Sequence, residues 1–188
     1  MIMSTLISPN TKHDDYKIAY FGGGCFWCVE AVFEDLNGVI EVTSGYAGGE
    51  ELTANYINVS SGKTNHAEIC KITYNPELIS YEVLLKVFFS SHDPTTINQQ
   101  GNDIGPQYRS IIFWESDLEK QLIINYINDL LVNQVYSNIK TQIIPFTKFY
   151  EAEKYHQNYF KLNNTQPYCK YVINPKLKKI RNELKEFY

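Results

Sequence analysis

The sequence predicts an α/β protein of the α+β type: a mixed sheet with helices packed on it, a split βαβ (ferredoxin-like) core and an irregular C-terminal extension. Strand-like and helix-like segments alternate roughly as β-α-β-β-α-β-α-β, which is typical of such a core. Ser80 and Ser116 each stand directly before a segment of helical periodicity, where N-cap residues occur. With 188 residues, of which 44% are hydrophobic, the chain is long enough to bury a sizeable core.

The first half of the chain contains three predicted strands and two predicted helices. Apolar residues from position 26 onward keep a helical period until Asn37-Gly38, a pair that ends helices. A segment rich in Gly, Ser and Asn at 45–65 predicts a loop between the second and third strands. The predicted elements are a strand at 17–21, a helix from 26, strands at 39–43 and 67–74, and a helix at 81–91.

The second half begins with a loop at 93–107 that contains two Pro and two Gly residues, and loops this long are typically functional or mobile. A β-branched and aromatic strand at 108–114 follows, then a helix opened by the capping-box pattern of Ser116 and Glu119. A strand at 140–144 and a short tail helix from Asn174 complete the elements. We expect a single catalytic domain over 1–188, with a loose N-terminal arm at 1–15 and a C-terminal tail at 160–188.

Composition excludes several classes of function. A net charge of −4, with a pI near 5.6, provides no basic surface for nucleic acid or an anionic membrane. The apolar runs are too short to span a membrane, and no export signal is recognisable, so we expect a cytoplasmic protein and, by default, a monomer. Four cysteines in such a chain are more typical of reduced thiols than of a disulfide framework. They are Cys25, Cys28, Cys70 and Cys169.

The segment Gly-Cys-Phe-Trp-Cys at 24–28 is the strongest functional signal. A cysteine at a helix start lies among free backbone N–H groups and the positive end of the helix dipole, which favour the thiolate. We therefore interpret Cys25 as a redox nucleophile, kept ionised by its position. Phe26 and Trp27 point about 100° apart on a helix, so they cannot both fill one core site. Whether they line a substrate pocket or pack in the core stays open.

Glu68 is the second candidate. Period two places it on the same strand face as Cys70, Ile72 and Tyr74. A carboxyl group there lies either at the strand end in water or in the interior, where burial raises its pKa and makes it a general acid. The residue pattern leaves both readings open.

Other candidates are individually weak. Asp103 and Tyr108 flank a Gly-Pro turn, and Tyr56 lies in the earlier loop. Phenols can donate hydrogen bonds to a polar substrate atom, but the chain has 15 tyrosines. By itself, His156 is more typical of a surface or hydrogen-bonded core histidine than of a ligand.

Five ordered segments resemble the motifs of the A-type peptide methionine sulfoxide reductases, and the resemblance spans about residues 17 to 175. The segments are Gly-Cys-Phe-Trp at 24–27, Gly-Tyr-Ala-Gly-Gly at 45–49, Tyr56 with Gly-Lys-Thr-Asn-His-Ala-Glu at 62–68, the block at 93–110, and Phe-Tyr-Glu-Ala-Glu-Lys-Tyr-His-Gln at 149–157.

The resemblance implies a role for each candidate. Cys25 would attack the sulfoxide sulfur, and Glu68 would protonate the sulfoxide oxygen. Tyr56 and Tyr108 would hydrogen-bond that oxygen, and Asp103 would position the site or a water molecule.

The family also implies a substrate and a reductant. Phe26 and Trp27 would hold the S-methyl group, with His156 in support. The substrate would be the S epimer of methionine sulfoxide, free or in proteins, in a protein-repair reaction linked to oxidative stress. No metal or organic cofactor is implied, and thioredoxin would be the reductant.

A second thiol would then condense with the Cys25 sulfenic acid to form a disulfide. We favour Cys169 narrowly over Cys28 for this resolving role, because family members often have a resolving cysteine in the tail. The main alternative function is a thioredoxin-like dithiol oxidoreductase using Cys25 and Cys28. A zinc-binding module would need a second close Cys/His pair, which the sequence lacks.

Overall fold

Within residues 16–188, the part that this computed structural model describes, six strands form one mixed sheet. The expected arm at 1–15 lies outside the described residues. The strands of this sheet are β1 (Lys17–Gly22), β2 (Val39–Ala47), β3 (Ala67–Tyr74), β6 (Ile111–Trp114), β7 (Gln142–Pro145) and β8 (Phe149–Glu151). Two further short strands, β4 (Gln99–Gln100) and β5 (Asp103–Ile104), form a separate hairpin. The sheet order is β7-β6-β1-β3-β2-β8, and only the β6–β7 pair is parallel in the described sheet.

Six α-helices accompany the strands in the described part of the chain. They are α1 (Phe26–Phe33), α2 (Tyr56–Ser60), α3 (Tyr81–Ser91), α4 (Asp117–Val132), α5 (Tyr159–Leu162) and α6 (Asn174–Glu183). Ser80 and Ser116 cap α3 and α4 by accepting backbone N–H bonds. Along the chain, α1 lies between β1 and β2, and α3 lies between β3 and β6. With the strand order β6-β1-β3-β2, these connections form a split βαβ core. The predicted fold class is therefore confirmed. None of these helices has the length and apolarity that crossing a membrane requires.

The structure contains the hairpin β4–β5, the strand β8 and the helix α5, which were not predicted, and two further segments differ from their predicted elements. The glycine-rich stretch at 45–65 is not all loop: β2 continues to Ala47 because it pairs with both β3 and β8, and α2 lies beyond it. The strand predicted at 108–114 begins only at Ile111, because Pro106 opens a short 3₁₀ helix that ends at Tyr108. Both differences arise from long-range pairing or local turn geometry that a residue pattern does not encode.

The C-terminal segment is anchored in the main hydrophobic core. A turn of π-helix (Cys169–Ile173) leads directly into α6. Five side chains of this segment are buried among residues of α1 and α3, namely Cys169, Ile173, Leu177, Ile180 and Leu184. Fully burying a side chain such as Leu or Ile contributes roughly 1.5–3 kcal/mol, so this packing holds the segment against the start of α1.

Two glycines permit close packing around the first turn of α1. Gly24 has φ +97°, a left-handed conformation, and a Cβ atom there would lie 2.7 Å from the Cγ atom of Gln100. At Gly22 a Cβ atom would lie 2.8 Å from the backbone oxygen of Glu68. The glycine run thus lets β3 and the 93–107 segment approach the residue that starts α1.

Candidate active site

Cys25 occupies the N-cap position of α1, and its backbone is extended (φ −59°, ψ 128°). It directly follows the glycine run at the end of strand β1. Its carbonyl accepts the backbone N–H of Cys28 at 3.0 Å. The two thiols lie one helical turn apart, close enough for each to shift the pKa of the other. Both are free and buried, with exposed fractions of 8% for Cys25 and 3% for Cys28. The pair is therefore pre-positioned for thiol chemistry.

The ionisation of Cys25 differs from the expectation. Burial raises the pKa of the Cys25 thiol well above its usual value, with further contributions from the Cys28 hydrogen bond and the nearby Glu68 carboxyl. The free N–H groups of an eight-residue helix do not offset this loss of hydration. In contrast, the pKa of Cys28 is lowered to about 7, because it shares the hydrogen bond from Cys25 and lies near Lys176 and Tyr168. Of the two thiols, Cys28 therefore loses its proton more readily.

Glu68 lies on β3 opposite Tyr46 of β2, and its side chain is only 2% exposed. Its Oε2 atom accepts the backbone N–H of Phe26 at 3.1 Å, directly beside Cys25. Burial raises the pKa of Glu68 to about 8, although the Phe26 hydrogen bond opposes the rise. At neutral pH the group is mostly a neutral acid whose O–H remains available, which is the state a proton donor requires.

Tyr56, Tyr108 and Asp103 surround this pair from two separate segments. Tyr56 begins α2, whereas Tyr108 ends the 3₁₀ helix after the β4–β5 hairpin and Asp103 begins β5. Burial raises the pKa of both phenols, and the nearby Glu68 carboxyl and Cys25 thiol, which are negative once ionised, raise it further. Both tyrosines therefore stay protonated as hydrogen-bond donors in the same electrostatic environment as the nucleophile.

An aromatic cluster covers the other side of the first turn. Phe26 is 1% exposed, and its ring centroid lies 4.9 Å from that of His156. The Nε1–H of Trp27 donates to Nδ1 of His156 at 3.1 Å, and the Trp27 ring stacks on Tyr159 at 3.6 Å. The Tyr56 ring centroid lies 4.6 Å from His156. These contacts bring the predicted aromatic and histidine residues into one wall.

A cavity of about 300 Å³ opens beside the thiols. Its lining includes Cys25, Cys28, Asn102, Asp103, Tyr168 and Lys176. Another cavity, of about 370 Å³, lies beside Arg109 and Phe113. Arg109 is already engaged there, since it donates to backbone carbonyls including that of Asn65. Only the first of these two cavities reaches the thiols.

Sequence reasoning missed the contribution of the tail. Tyr168, Lys176 and Tyr159 all lie next to the thiols or to Trp27, and none of them was singled out from the pattern. For Tyr168 a signal existed, because it directly precedes the candidate thiol Cys169. Cys169 itself is buried, and burial raises its pKa.

Glu30 was also missed, although it is the only charged residue of α1. It is 1% exposed and accepts the backbone N–H groups of Asn158 at 2.9 Å and Tyr159 at 3.0 Å. The Ser44 hydroxyl donates to it at 3.3 Å. Burial raises the pKa of Glu30 to about 7. These bonds attach the start of α5, and with it the ring that stacks on Trp27, to α1.

Among residues 16–188, no group of three or more His, Cys, Asp or Glu side chains is arranged to hold a metal ion. The arrangement that is present consists of a dithiol at a helix start, a neutral buried carboxyl and two phenol donors. These groups can transfer two electrons and a proton to a polar, oxidised substrate atom. The fold and the site thus define a cysteine-dependent redox enzyme.

Comparison with known proteins identifies which redox enzymes share these features. The profile described as Peptide methionine sulfoxide reductase matches residues 17–187, so the chain belongs to the peptide methionine sulfoxide reductase family. A peptide methionine sulfoxide reductase MsrA from Ruthia magnifica is 48% identical over 167 residues, covering 89% of this chain and 99% of that protein.

The chain is also similar to solved structures. Mxr1 from Saccharomyces cerevisiae in reduced form has a TM-score of 0.77 at 35% identity, covering 88% of this chain and 96% of that one. Mxr1 in complex with Trx2 has a TM-score of 0.54 at 28% identity, covering 80% of this chain and 91% of that one.

Proposed function

We propose that the protein reduces the S epimer of methionine sulfoxide, free or in proteins, to methionine, and that thioredoxin regenerates it. The observation that carries the proposal is the hydrogen bond from the Phe26 N–H to Glu68, which holds a neutral acid beside Cys25. Family membership supports the same reaction. The alternative, a thioredoxin-like dithiol oxidoreductase, leaves Glu68 and the phenols of Tyr56 and Tyr108 without a role.

The reaction begins with attack of the Cys25 sulfur on the sulfoxide sulfur. Glu68 protonates the sulfoxide oxygen, while Tyr56 and Tyr108 donate hydrogen bonds to it. The oxygen is transferred to Cys25, whose sulfur loses two electrons and becomes a sulfenic acid, while the substrate sulfur gains two electrons and leaves as methionine. The Cys25 proton restores the Glu68 acid, so that one thiol and one sulfoxide give one sulfenic acid and one thioether.

Three further residues orient the substrate in this proposal. The wall formed by Phe26 and Trp27 holds the S-methyl group, and His156 fixes the Trp27 ring through its Nδ1 atom. Asp103 lines the cavity beside the thiols and is placed to order a water molecule there.

For the resolving step we propose Cys28 as the first partner of Cys25 and Cys169 as a second thiol that exchanges later. The proximity of Cys25 and Cys28 in the first turn of α1, and the lowered pKa of Cys28, support this order over direct resolution by Cys169. Cys169 is fully buried, but it adjoins Tyr168, whose hydroxyl contacts Cys28 at 3.6 Å. Thioredoxin as final reductant is supported by the structure of Mxr1 in complex with Trx2.

The substrate assignment is tested with the two sulfoxide epimers assayed separately. We expect the S epimer to yield methionine with dithiothreitol as reductant, and the R epimer to remain unreacted, because only one epimer presents its oxygen to Glu68 with its methyl group at the aromatic wall. Methionine is measured by chromatography. Equal rates for both epimers, or disulfide exchange on proteins without any sulfoxide reduction, would contradict the proposal.

The resolving thiols are tested by comparing Cys28→Ser with Cys169→Ser. We expect Cys28→Ser to abolish closure of the first disulfide and Cys169→Ser to lower only the thioredoxin-driven rate. Dithiothreitol, which reaches the sulfenic acid directly, should sustain both variants. The measurement is turnover with each reductant, together with peptide mapping of the disulfide. A first disulfide between Cys25 and Cys169 would show that Cys169, and not Cys28, is the first thiol to react with the sulfenic acid.

Three finer assignments belong to the same proposal. Free thiols at all four cysteines support a reducing compartment such as the cytoplasm. A role in repair after oxidative stress follows from the substrate. We also expect a monomer without nucleic-acid or membrane partners, which size-exclusion chromatography and binding assays can check.

A further inference from the structure

Tyr168 joins two groups that the reaction described so far leaves unconnected. Its hydroxyl lies 3.6 Å from the Cys28 sulfur and donates to Oδ2 of Asp103 at 2.7 Å. All three side chains line the 300 Å³ cavity that Cys25 also reaches. The contacts form a continuous chain from a thiol, through a phenol, to a carboxylate at the cavity edge.

The Tyr168 hydroxyl has one proton, and the group that accepts it sets the direction of proton transfer along these three side chains. Because that proton is donated to Asp103, the phenol oxygen is free to accept the S–H of Cys28. Moving each proton one step along this chain gives a Cys28 thiolate that accepts from Tyr168, with the proton now on Asp103. No atom needs to move more than a bond length for this transfer.

We propose that Tyr168 and Asp103 form a proton relay that deprotonates Cys28 for its attack on the Cys25 sulfenic acid. The inference rests on the proposed function, because it requires that sulfenic acid and Cys28 as the first resolving thiol. It assigns Tyr168 a catalytic role, since its hydroxyl contacts a reacting sulfur atom.

The atoms and electrons of the step balance without a further reagent. The Cys28 thiolate attacks the Cys25 sulfur, a sulfur–sulfur bond forms and the sulfur–oxygen bond breaks. The departing hydroxide takes up the proton that Asp103 received, and leaves as water through the shared cavity. Cys28 is oxidised and the sulfenic sulfur is reduced, each by one electron, to give the disulfide.

The charges that face Cys28 favour this transfer. Lys176, from α6, and the Tyr168 and Cys25 hydrogen bonds all lower the pKa of Cys28, whereas its burial and the Asp103 carboxylate raise it. Transfer of the proton to Asp103 removes that last unfavourable charge as the thiolate forms. Burial and the neighbouring thiols raise the pKa of Tyr168, so it passes the proton on and does not keep a phenolate.

The position of Tyr168 is fixed from both sides. Its ring meets Trp27 edge-on at 5.9 Å, and the next residue, Cys169, is buried in the main core. Replacing the tyrosine with phenylalanine therefore removes the hydroxyl and retains the ring packing. This makes Tyr168→Phe a clean test of the relay.

The experiment follows disulfide closure in single turnover with S-methionine sulfoxide in a Cys169→Ser background, where Cys28 is the remaining resolving candidate. Methionine formation, which accompanies loss of the first thiol, and loss of the second thiol, which marks disulfide closure, are measured separately by rapid quench between pH 6 and pH 9.5. We expect Tyr168→Phe to slow loss of the second thiol roughly tenfold at pH 7, because the Cys28 thiolate loses a hydrogen-bond donor. The rate should recover towards that of the parent at high pH, where Cys28 ionises without the relay. Asp103→Asn is expected to shift the pH profile of disulfide closure in the same direction. The double variant should be little slower than either single variant, because both residues belong to one relay.

The matched control is Tyr171→Phe. Tyr171 is exposed, lies three residues after Tyr168, and makes no hydrogen bond to Cys28 within residues 16–188. The rate of disulfide closure in this variant is expected to equal that of the parent. Closure by Tyr168→Phe at the parent rate at pH 7 would overturn the relay, as would an equal slowing at every pH. Absence of methionine in the parent would refute the proposed function instead. Methionine formation without a Cys25–Cys28 disulfide would refute only the resolving order and the relay.

Discussion

Replacing Cys25 with serine is expected to reduce methionine formation to the level of the uncatalysed reaction. A serine hydroxyl is a much weaker nucleophile than a thiolate, and its oxygen cannot take up the sulfoxide oxygen as a stable two-electron product. Cys25 is buried beside Glu68 and reaches the cavity, so it is placed to receive the sulfoxide oxygen while Glu68 supplies the proton. The measurement is methionine released from the S epimer with dithiothreitol.

Cys70→Ser is the matched control for this variant. Cys70 is also fully buried, but it lies on β3 among core residues, and its sulfur contacts the Phe26 carbonyl and the Ser44 hydroxyl. A serine there keeps two hydrogen-bond partners, so we expect turnover close to that of the parent. Substantial turnover in the Cys25 variant, or its loss in the Cys70 variant alone, would move the nucleophile elsewhere.

Replacing Glu68 with glutamine is expected to slow the reductive step by about 10²–10⁴, the usual contribution of a positioned general acid. The pH dependence follows from its pKa of about 8. Only the protonated carboxyl can donate, so the parent rate at saturating substrate falls as pH rises above about 8. The amide of the variant does not titrate, so this decline should disappear. Single-turnover methionine formation between pH 6 and pH 10 measures both effects.

Glu41→Gln provides the control, because Glu41 is an exposed carboxylate on the neighbouring strand β2. Its profile is expected to match that of the parent. If Glu68→Gln retained both the parent rate and the decline at alkaline pH, Glu68 would have a structural role only, as the partner of the Phe26 N–H.

Elements with strong local signals could be predicted from the sequence. The strand at Ala67–Tyr74 and the helix at Tyr81–Ser91 have the predicted bounds, because alternation and an N-cap serine define them locally. In contrast, β8 and the end of β2 exist because they pair with each other, and neither segment has a clear period. Tertiary pairing therefore decided the elements that the pattern missed.

The candidate site shows the same limit. Placing Glu68 near Cys25 needed only the motif resemblance and the strand period, and the structure brings the two together. The ionisation of the thiols could not be predicted, because it depends on how many distant groups exclude water from them. Tyr168, 140 residues further along the chain, and Lys176, which lies beyond it, both alter the pKa of Cys28.

The position of these groups near the C-terminus affects how the protein matures. Ribosomes add residues from the N-terminus, so Cys25 and Cys28 emerge more than a hundred residues before the side chains that enclose them. Until α5 and α6 are made, Trp27 lacks its stacking partner and Cys28 lacks its phenol and lysine neighbours. A nascent chain therefore exposes an unshielded dithiol until the residues up to the end of α6 have been made and have folded onto α1.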